Sequence, residues 1–288
     1  MDAAVYSYFR LTKHADWGLY FPEATGSRQS PIDLVSCDAR YEEILANTPL
    51  QFNYATSRET DILNNGYTLV VFPRAKQVDT QAGNRSDQTP NVSTLSGGPL
   101  PQGMEYELAE IRFHWGRENS RGSEHTVNGK AFPMEVQLVH WNTRLYDSIE
   151  EAVGRPNGIV IVTLFTQLGR EHHGLKLITD ALEDVQYKGR QKTLTAPFNP
   201  GTFMPDPQLR DFWTYEGSLT TPPCSENVSW ILMRYPLMVS HSQMEDFRRL
   251  KTHNKGDQPR PGDDGTMADN FRPPQALNGR YVRASFQY

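Results

Sequence analysis

Polar and apolar side chains alternate most sharply in two short runs, Glu110-Ile111-Arg112-Phe113-His114-Trp115 and Glu135-Val136-Gln137-Leu138-Val139-His140-Trp141. Both are rich in aromatic and β-branched residues, and the pattern predicts strands. Side chains two apart in a strand share a face. Glu110, Arg112 and His114 therefore point one way, with Ile111, Phe113 and Trp115 behind them. In the second run Glu135, Gln137 and Val139 share a face. If the two strands pair, polar side chains converge on one sheet surface over an apolar layer.

Elsewhere the pattern is more broken. Leu50 to Tyr54 and Tyr67 to Phe72 read as strands, the second entered through the turn signal Asn64-Asn65-Gly66. Gly158 to Phe165 is a continuous apolar run and reads as a buried strand. Phe212 to Leu219 and Val228 to Arg234 read as strands on either side of Thr220-Thr221-Pro222-Pro223. Asp147 to Val153 suits a helical turn. Leu175 to Val185 carries Leu175, Ile178, Leu182 and Val185 at helical spacing and predicts a short amphipathic helix. Ser242 to Thr252 predicts another, capped by Ser240 or Ser242, with Met244, Phe247 and Leu250 inward. Asp257 to Asp264 is a polar loop rich in Pro and Gly, and Asn270 to Phe286 is extended. Residues 1–27 read as an irregular arm, 28–288 as one β-rich domain, and 78–96 as a mobile polar loop within it. No internal repeat or linker divides the chain.

Composition narrows the class. Hydrophobic residues make up 37% and aromatics 11%, which suits a soluble globular protein rather than a disordered one. A net charge of -5 gives no reason to expect nucleic-acid binding. No run approaches ~20 apolar residues, so no membrane span is expected. The first fourteen residues lack the apolar core of a signal peptide. The expected location is therefore cytoplasmic, and the sequons at Asn84, Asn91 and Asn227 are read as chance. Cys37 and Cys224 are the only cysteines, and two free thiols are expected.

The polar face of the two paired runs has the layout of a metal site. A catalytic zinc takes three protein ligands and leaves a fourth position open. Here the candidate positions offer one imidazole, His114. Arg112 has no lone pair to donate and Gln137 is a poor zinc ligand. Glu110 and Arg112, two apart on one face, suit a salt bridge that takes the place of the metal charge.

Seven runs in order resemble the α-carbonic anhydrase family over nearly the whole chain: Gln29-Ser30-Pro31-Ile32, Leu63-Asn64-Asn65-Gly66, Phe113-His114-Trp115-Gly116, Gly122-Ser123-Glu124-His125-Thr126, His140-Trp141-Asn142, Gly217-Ser218-Leu219-Thr220-Thr221-Pro222-Pro223 and Asp269-Asn270-Phe271-Arg272-Pro273. Any one alone would be weak, and together they are specific. The chain is most similar to the carbonic anhydrase-related proteins of type VIII, through Arg112 to Asn119 and Tyr187-Lys188-Gly189; residues 78–94 look like an insertion relative to that group.

The resemblance implies a mainly β (α+β) fold, a single domain with a central, mostly antiparallel twisted sheet, a few short peripheral helices and a conical pocket on one sheet face. It implies that active members carry His at the positions of Arg112, His114 and Gln137, so two of three zinc ligands are replaced. It also implies that Thr220 and its neighbour Thr221, with Glu124, are vestigial catalytic residues, Thr220 orienting the zinc hydroxide and Glu124 accepting the Thr hydroxyl proton. Glu135 supports the third ligand, with Glu110 and Glu135 both lying behind the metal positions. Tyr67 takes the place of a proton-shuttling His, Leu19 that of a pocket Tyr, and Ile161 that of a smaller Val. The expected cofactor is none, with zinc absent, and the pocket could take a small anion beside Arg112. The expected function is a pseudoenzyme that binds protein, the implied intracellular partner being the inositol 1,4,5-trisphosphate receptor. The alternative is a residual zinc-dependent carbonic anhydrase or esterase using His114 with Glu or Gln ligands.

The remaining signals have plainer readings. His125 and His140 suit hydrogen-bonded core positions, and the adjacent His172 and His173 suit the surface. Arg248, Arg249, Lys251, His253 and Lys255 suit a solvated helix end. A buried Thr220–Glu124 hydrogen bond is the structural role expected for that pair.

Overall fold

The computed structural model describes residues 16–74 and 92–287. The strands are β1 (Asp33–Leu34), β2 (Arg40–Tyr41), β3 (Leu50–Asn53), β4 (Thr60–Asn64), β5 (Leu69–Pro73), β6 (Thr94–Gly97), β7 (Tyr106–Trp115), β8 (Thr126–Val127), β9 (Met134–Trp141), β10 (Ile159–Leu168), β11 (Gln191–Leu194), β12 (Phe212–Ser218), β13 (Glu226–Met233), β14 (Leu237–Val239) and β15 (Arg283–Ala284). Thirteen of them form one sheet with the spine β11-β4-β5-β7-β9-β10-β13-β12-β15-β2, while β1 and β8 pair separately. Most neighbours run antiparallel; β10 with β13, β10 with β14, β15 with β2 and β1 with β8 are parallel. Among the described residues five short α-helices flank the sheet: α1 (Trp17–Tyr20), α2 (Glu43–Asn47), α3 (Ile149–Ala152), α4 (His173–Thr179) and α5 (His241–Arg248).

The alternation in β7 and β9 builds two layers. Ile111, Phe113 and Trp115 join Val136, Leu138, Val71 and Val162 in the largest apolar cluster. Phe247, buried from α5, packs on Phe113 and Trp115 with ring centroids 5.3 and 5.1 Å away. A second cluster holds Val139, Ile161, Trp213, Tyr215 and Trp230. A third, small cluster joins Trp17 to Tyr67 and Cys224, and so ties the N-terminal segment to the sheet.

Several elements differ from their sequence reading. The arm is not wholly irregular, since α1 and a 3-10 turn at Pro22–Thr25 lie within it; residues 1–15 fall outside the described residues. Residues 78–91 of the expected 78–96 loop also lie outside them, and its far end is strand β6, which pairs with β3 and β7. Strand β4 was not anticipated, because Thr60-Asp61 and Asn64 break its apolar pattern while burying polar side chains. The helix expected over Leu175 to Val185 ends at Thr179. Leu182 and Val185 are buried from turns that follow, where helical spacing survives without the helix. Helix α5 stops at Arg248 rather than Thr252, and its cap is Ser240, in a capping box with Gln243. No helix among the described residues is long and apolar enough to cross a membrane.

Candidate functional site

Register places the site residues. Arg112 of β7 lies directly opposite Gln137 of β9, and His114 opposite Glu135. On the other flank Arg112 faces Val70 of β5, and Gln137 faces Thr163 of β10. A row of side chains thus crosses four strands on one face. Glu110 joins that face just beyond a register shift between Leu108 and Glu110. Glu124 arrives from the segment before β8, and Thr220 and Thr221 from the loop after β12. All but Glu110 are buried: Arg112 is 5% exposed and His114, Glu124 and Glu135 are fully enclosed.

The Arg112 guanidinium is held by Glu110. Its Nε donates to Glu110 Oε1 at 2.6 Å and its Nη2 pairs with the same oxygen. Nη1 lies 3.4 Å from Thr221 Oγ1. Gln137 Nε2 bridges two carboxylates, at 2.8 Å from Glu124 Oε2 and 2.9 Å from Glu135 Oε1. Glu135 also accepts from the backbone N–H groups of Glu124 and His125 at 3.0 and 2.9 Å, and lies 3.0 Å from His125 Nδ1. Burial alone would raise the Glu135 carboxyl; the neighbouring His125 and the hydrogen bonds from His125 and Gln137 outweigh it and hold the pKa below the usual value.

His114 Nδ1 lies 2.8 Å from the Asn270 carbonyl, which can only accept, so Nδ1 carries the proton. Its Nε2 is buried without a hydrogen bond and faces Glu124 Oε2 at 3.5 Å. The other Glu124 oxygen accepts from the Arg272 backbone N–H at 2.9 Å. The expected Thr220–Glu124 hydrogen bond is not formed: among the described residues both carboxylate oxygens of Glu124 bond elsewhere, to Gln137 and Arg272. Asn270 and Arg272 are therefore part of the site. The run Asp269 to Pro273 was visible as a family match, but nothing in its spacing shows that a backbone carbonyl orients His114.

Beside this floor opens a cavity of about 700 Å³. Leu63, Val70, Phe72, Ile149, Val153 and Pro223 supply apolar wall, and Glu110, Arg112, Glu150 and Lys188 the charged groups. Tyr67 is buried above His114, ring edge to face with centroids 6.5 Å apart. Burial, with the Glu124 charge next, pushes its hydroxyl well above the ordinary tyrosine pKa. Leu19 is 79% exposed in α1 and does not line the cavity. Ile161 sits in the second apolar cluster.

These residues do not fit a zinc ion. Arg112, at one position where the resemblance implies a ligand, is a permanent cation. The Gln137 amide is committed to two carboxylates at another. Only His114 presents a ring nitrogen. Among the described residues no group of three or more His, Cys, Asp or Glu is disposed to hold a metal.

Other candidates have resolved partners. His125 Nε2 lies 2.7 Å from Tyr215 Oη, and His140 Nε2 lies 2.8 Å from Tyr54 Oη. His172 is more than a surface residue: its ring caps α4 by accepting from Leu175 N and stacks on Phe203. Arg248 leaves the expected solvated cluster and bonds the Gly116 carbonyl and Asn119. Cys37 is exposed and Cys224 buried, both as free thiols.

Comparison with known proteins agrees with this architecture. The profile of the eukaryotic-type carbonic anhydrase family matches residues 12–286. Carbonic anhydrase-related proteins of Rattus norvegicus and Homo sapiens are each 56% identical over 269 residues, 93% of this chain and 87% of the relative. Carbonic anhydrase 7 of Mus musculus is 42% identical over 273 residues, 95% of this chain and 94% of the relative. The chain belongs to the eukaryotic-type carbonic anhydrase family.

Proposed function

We propose that this chain is a carbonic anhydrase-related pseudoenzyme: it holds no zinc, does not hydrate CO2, and acts as a cytoplasmic protein-binding module. The observation that carries the reading is the composition of the site floor. Hydration requires a metal to bring bound water to a pKa near ~7. Here an arginine–glutamate pair and a glutamine that bridges two carboxylates stand where that metal's ligands would be. Thr220 then has no hydroxide to orient. Tyr67, with its hydroxyl pKa raised well above 10, cannot relay protons near neutrality. That the 56% identical relatives are carbonic anhydrase-related proteins supports the same direction. The proposed partner is the inositol 1,4,5-trisphosphate receptor, on the strength of the type VIII resemblance.

The test has two arms. Stopped-flow CO2 hydration with added zinc should give no rate above buffer; an acetazolamide-sensitive rate would establish the residual enzyme instead. Pull-down with the receptor's cytoplasmic region should retain the protein; loss of retention would remove the partner while leaving the first arm standing.

A further inference from the structure

A second pocket, of about 540 Å³, lies where the loop before β1, strand β12 and the turn before β15 meet. None of the residues that line it lines the cavity described above. Its charged groups are Arg28, Arg280, Arg283 and Glu216, three cations to one anion, in a chain of net charge -5. Tyr281, nearly half exposed, forms one side and is pinned by the Arg40 guanidinium 4.2 Å from its ring centroid.

The cations are not neutralised in proportion. Arg280 donates only to backbone carbonyls, those of Leu277, Glu216, Gln29 and Ala276, at 2.7–3.0 Å. Among the described residues no carboxylate hydrogen-bonds it, and its charge stays at the pocket wall. Burial pulls its pKa below the usual arginine value; Tyr215 and Glu226 oppose this and the nearby Arg28 adds to it. The exposed Arg28 side chain makes no hydrogen bond or ion pair among the described residues; its backbone N–H is the group that meets Glu226. Arg283 reaches Glu42 only at 3.5 Å. Glu216 turns one oxygen to Ser229 and is the single acid of the wall.

We propose that this arginine pocket binds a phosphate monoester, with Arg28 and Arg283 as the donors that close on the phosphate and Arg280 as a fixed background charge. The planar donor fork of arginine matches phosphate oxygens two at a time. A phosphate dianion meets three wall cations, Arg28, Arg280 and Arg283, against one wall acid, Glu216, while Glu42 compensates Arg283 in part from outside the wall. A single phosphate fills a small part of the pocket, so the group that carries it has room beside Tyr281. The proposal is independent of the missing zinc ligands and stands whether or not the pseudoenzyme reading holds.

The test uses the full chain and follows arginine Nε–H signals by NMR at constant ionic strength. Inorganic phosphate and phenyl phosphate should give saturable shifts at Arg28 and Arg283. Arg28→Gln and Arg283→Gln should each weaken binding about tenfold. Lys192→Gln, on the far edge strand β11, should not change it. O-phosphoserine and a short phosphoserine peptide separate the sources of the phosphate. Tighter binding of the peptide identifies a protein-borne group, equal or weaker binding a free small molecule, and either upholds the site. Shifts that do not saturate, or that survive both arginine substitutions, would overturn it.

Discussion

At the scale of single residues the site is a problem in buried charge. Arg112 is 5% exposed, and a guanidinium there persists only with an anion beside it. Glu110 is that anion. Glu110→Ala should remove the carboxylate that holds the guanidinium and cost about 3–5 kcal/mol, lowering the melting temperature by about 10 °C. Arg112→Met added to that change should recover much of the loss, because the pair is then removed together. Thermal unfolding of the single and double variants measures both; an unchanged melting temperature for Glu110→Ala would show that the pair contributes nothing. The two thiols should separate as cleanly. Burial pushes the Cys224 thiol up to about 12, whereas Cys37 lies at the surface. A thiol reagent should titrate one group in the native protein and the second only after unfolding.

At the scale of elements, strands β7 and β9 were legible because their side chains alternate, strictly over Glu110 to Trp115 and with a break at Val139, and Arg112 and Gln137 face each other where the two pair. What alternation cannot carry is the contribution of loops. Asn270 and Arg272 reach the floor through backbone atoms, which leave no trace in side-chain pattern. The same limit hid β4, whose buried Thr60, Asp61 and Asn64 imitate a loop, and stretched α4 over turns that keep an apolar spacing. The Thr220–Glu124 bond was expected from resemblance alone, and the Gln137 amide diverts one of the two Glu124 oxygens. Because the strand pair itself is intact, Arg112→His with Gln137→His should restore zinc binding, with the two new imidazoles flanking His114. Either single change should fall short, since two ring nitrogens hold zinc poorly. The double variant leaves the partly buried Glu110 without the Arg112 charge, so adding Glu110→Gln should improve its stability. Zinc stoichiometry across this series is the measurement; a folded triple variant without zinc would show that the scaffold no longer has ligand geometry.

At the scale of the molecule, a thirteen-stranded sheet with apolar clusters on both faces leaves little room for charge inside it. His140 records this: burial lowers its pKa from 6.5 to about 3. The unfolded chain therefore binds a proton that the folded chain refuses between those values. The contribution of His140 to stability is complete above pH ~6.5 and is lost as pH falls toward ~3, at up to about 1.4 kcal/mol per pH unit. Denaturant midpoints should fall across that window, and the His140 ring signal should not titrate in the native protein between about pH 8 and 5; a titration near 6.5 would contradict the burial. The family and the sheet were readable from seven ordered runs, whereas the pocket of arginines around Arg28 was not, because its members are scattered from residue 28 to residue 283 and meet only in the fold.

The central claim is that a protein charge and an amide stand in for a metal, and elemental analysis tests it most directly. The protein, incubated with excess zinc and freed of unbound metal by gel filtration, should carry far less than one equivalent. One equivalent of zinc that survives filtration and is lost on His114→Ala would contradict the account.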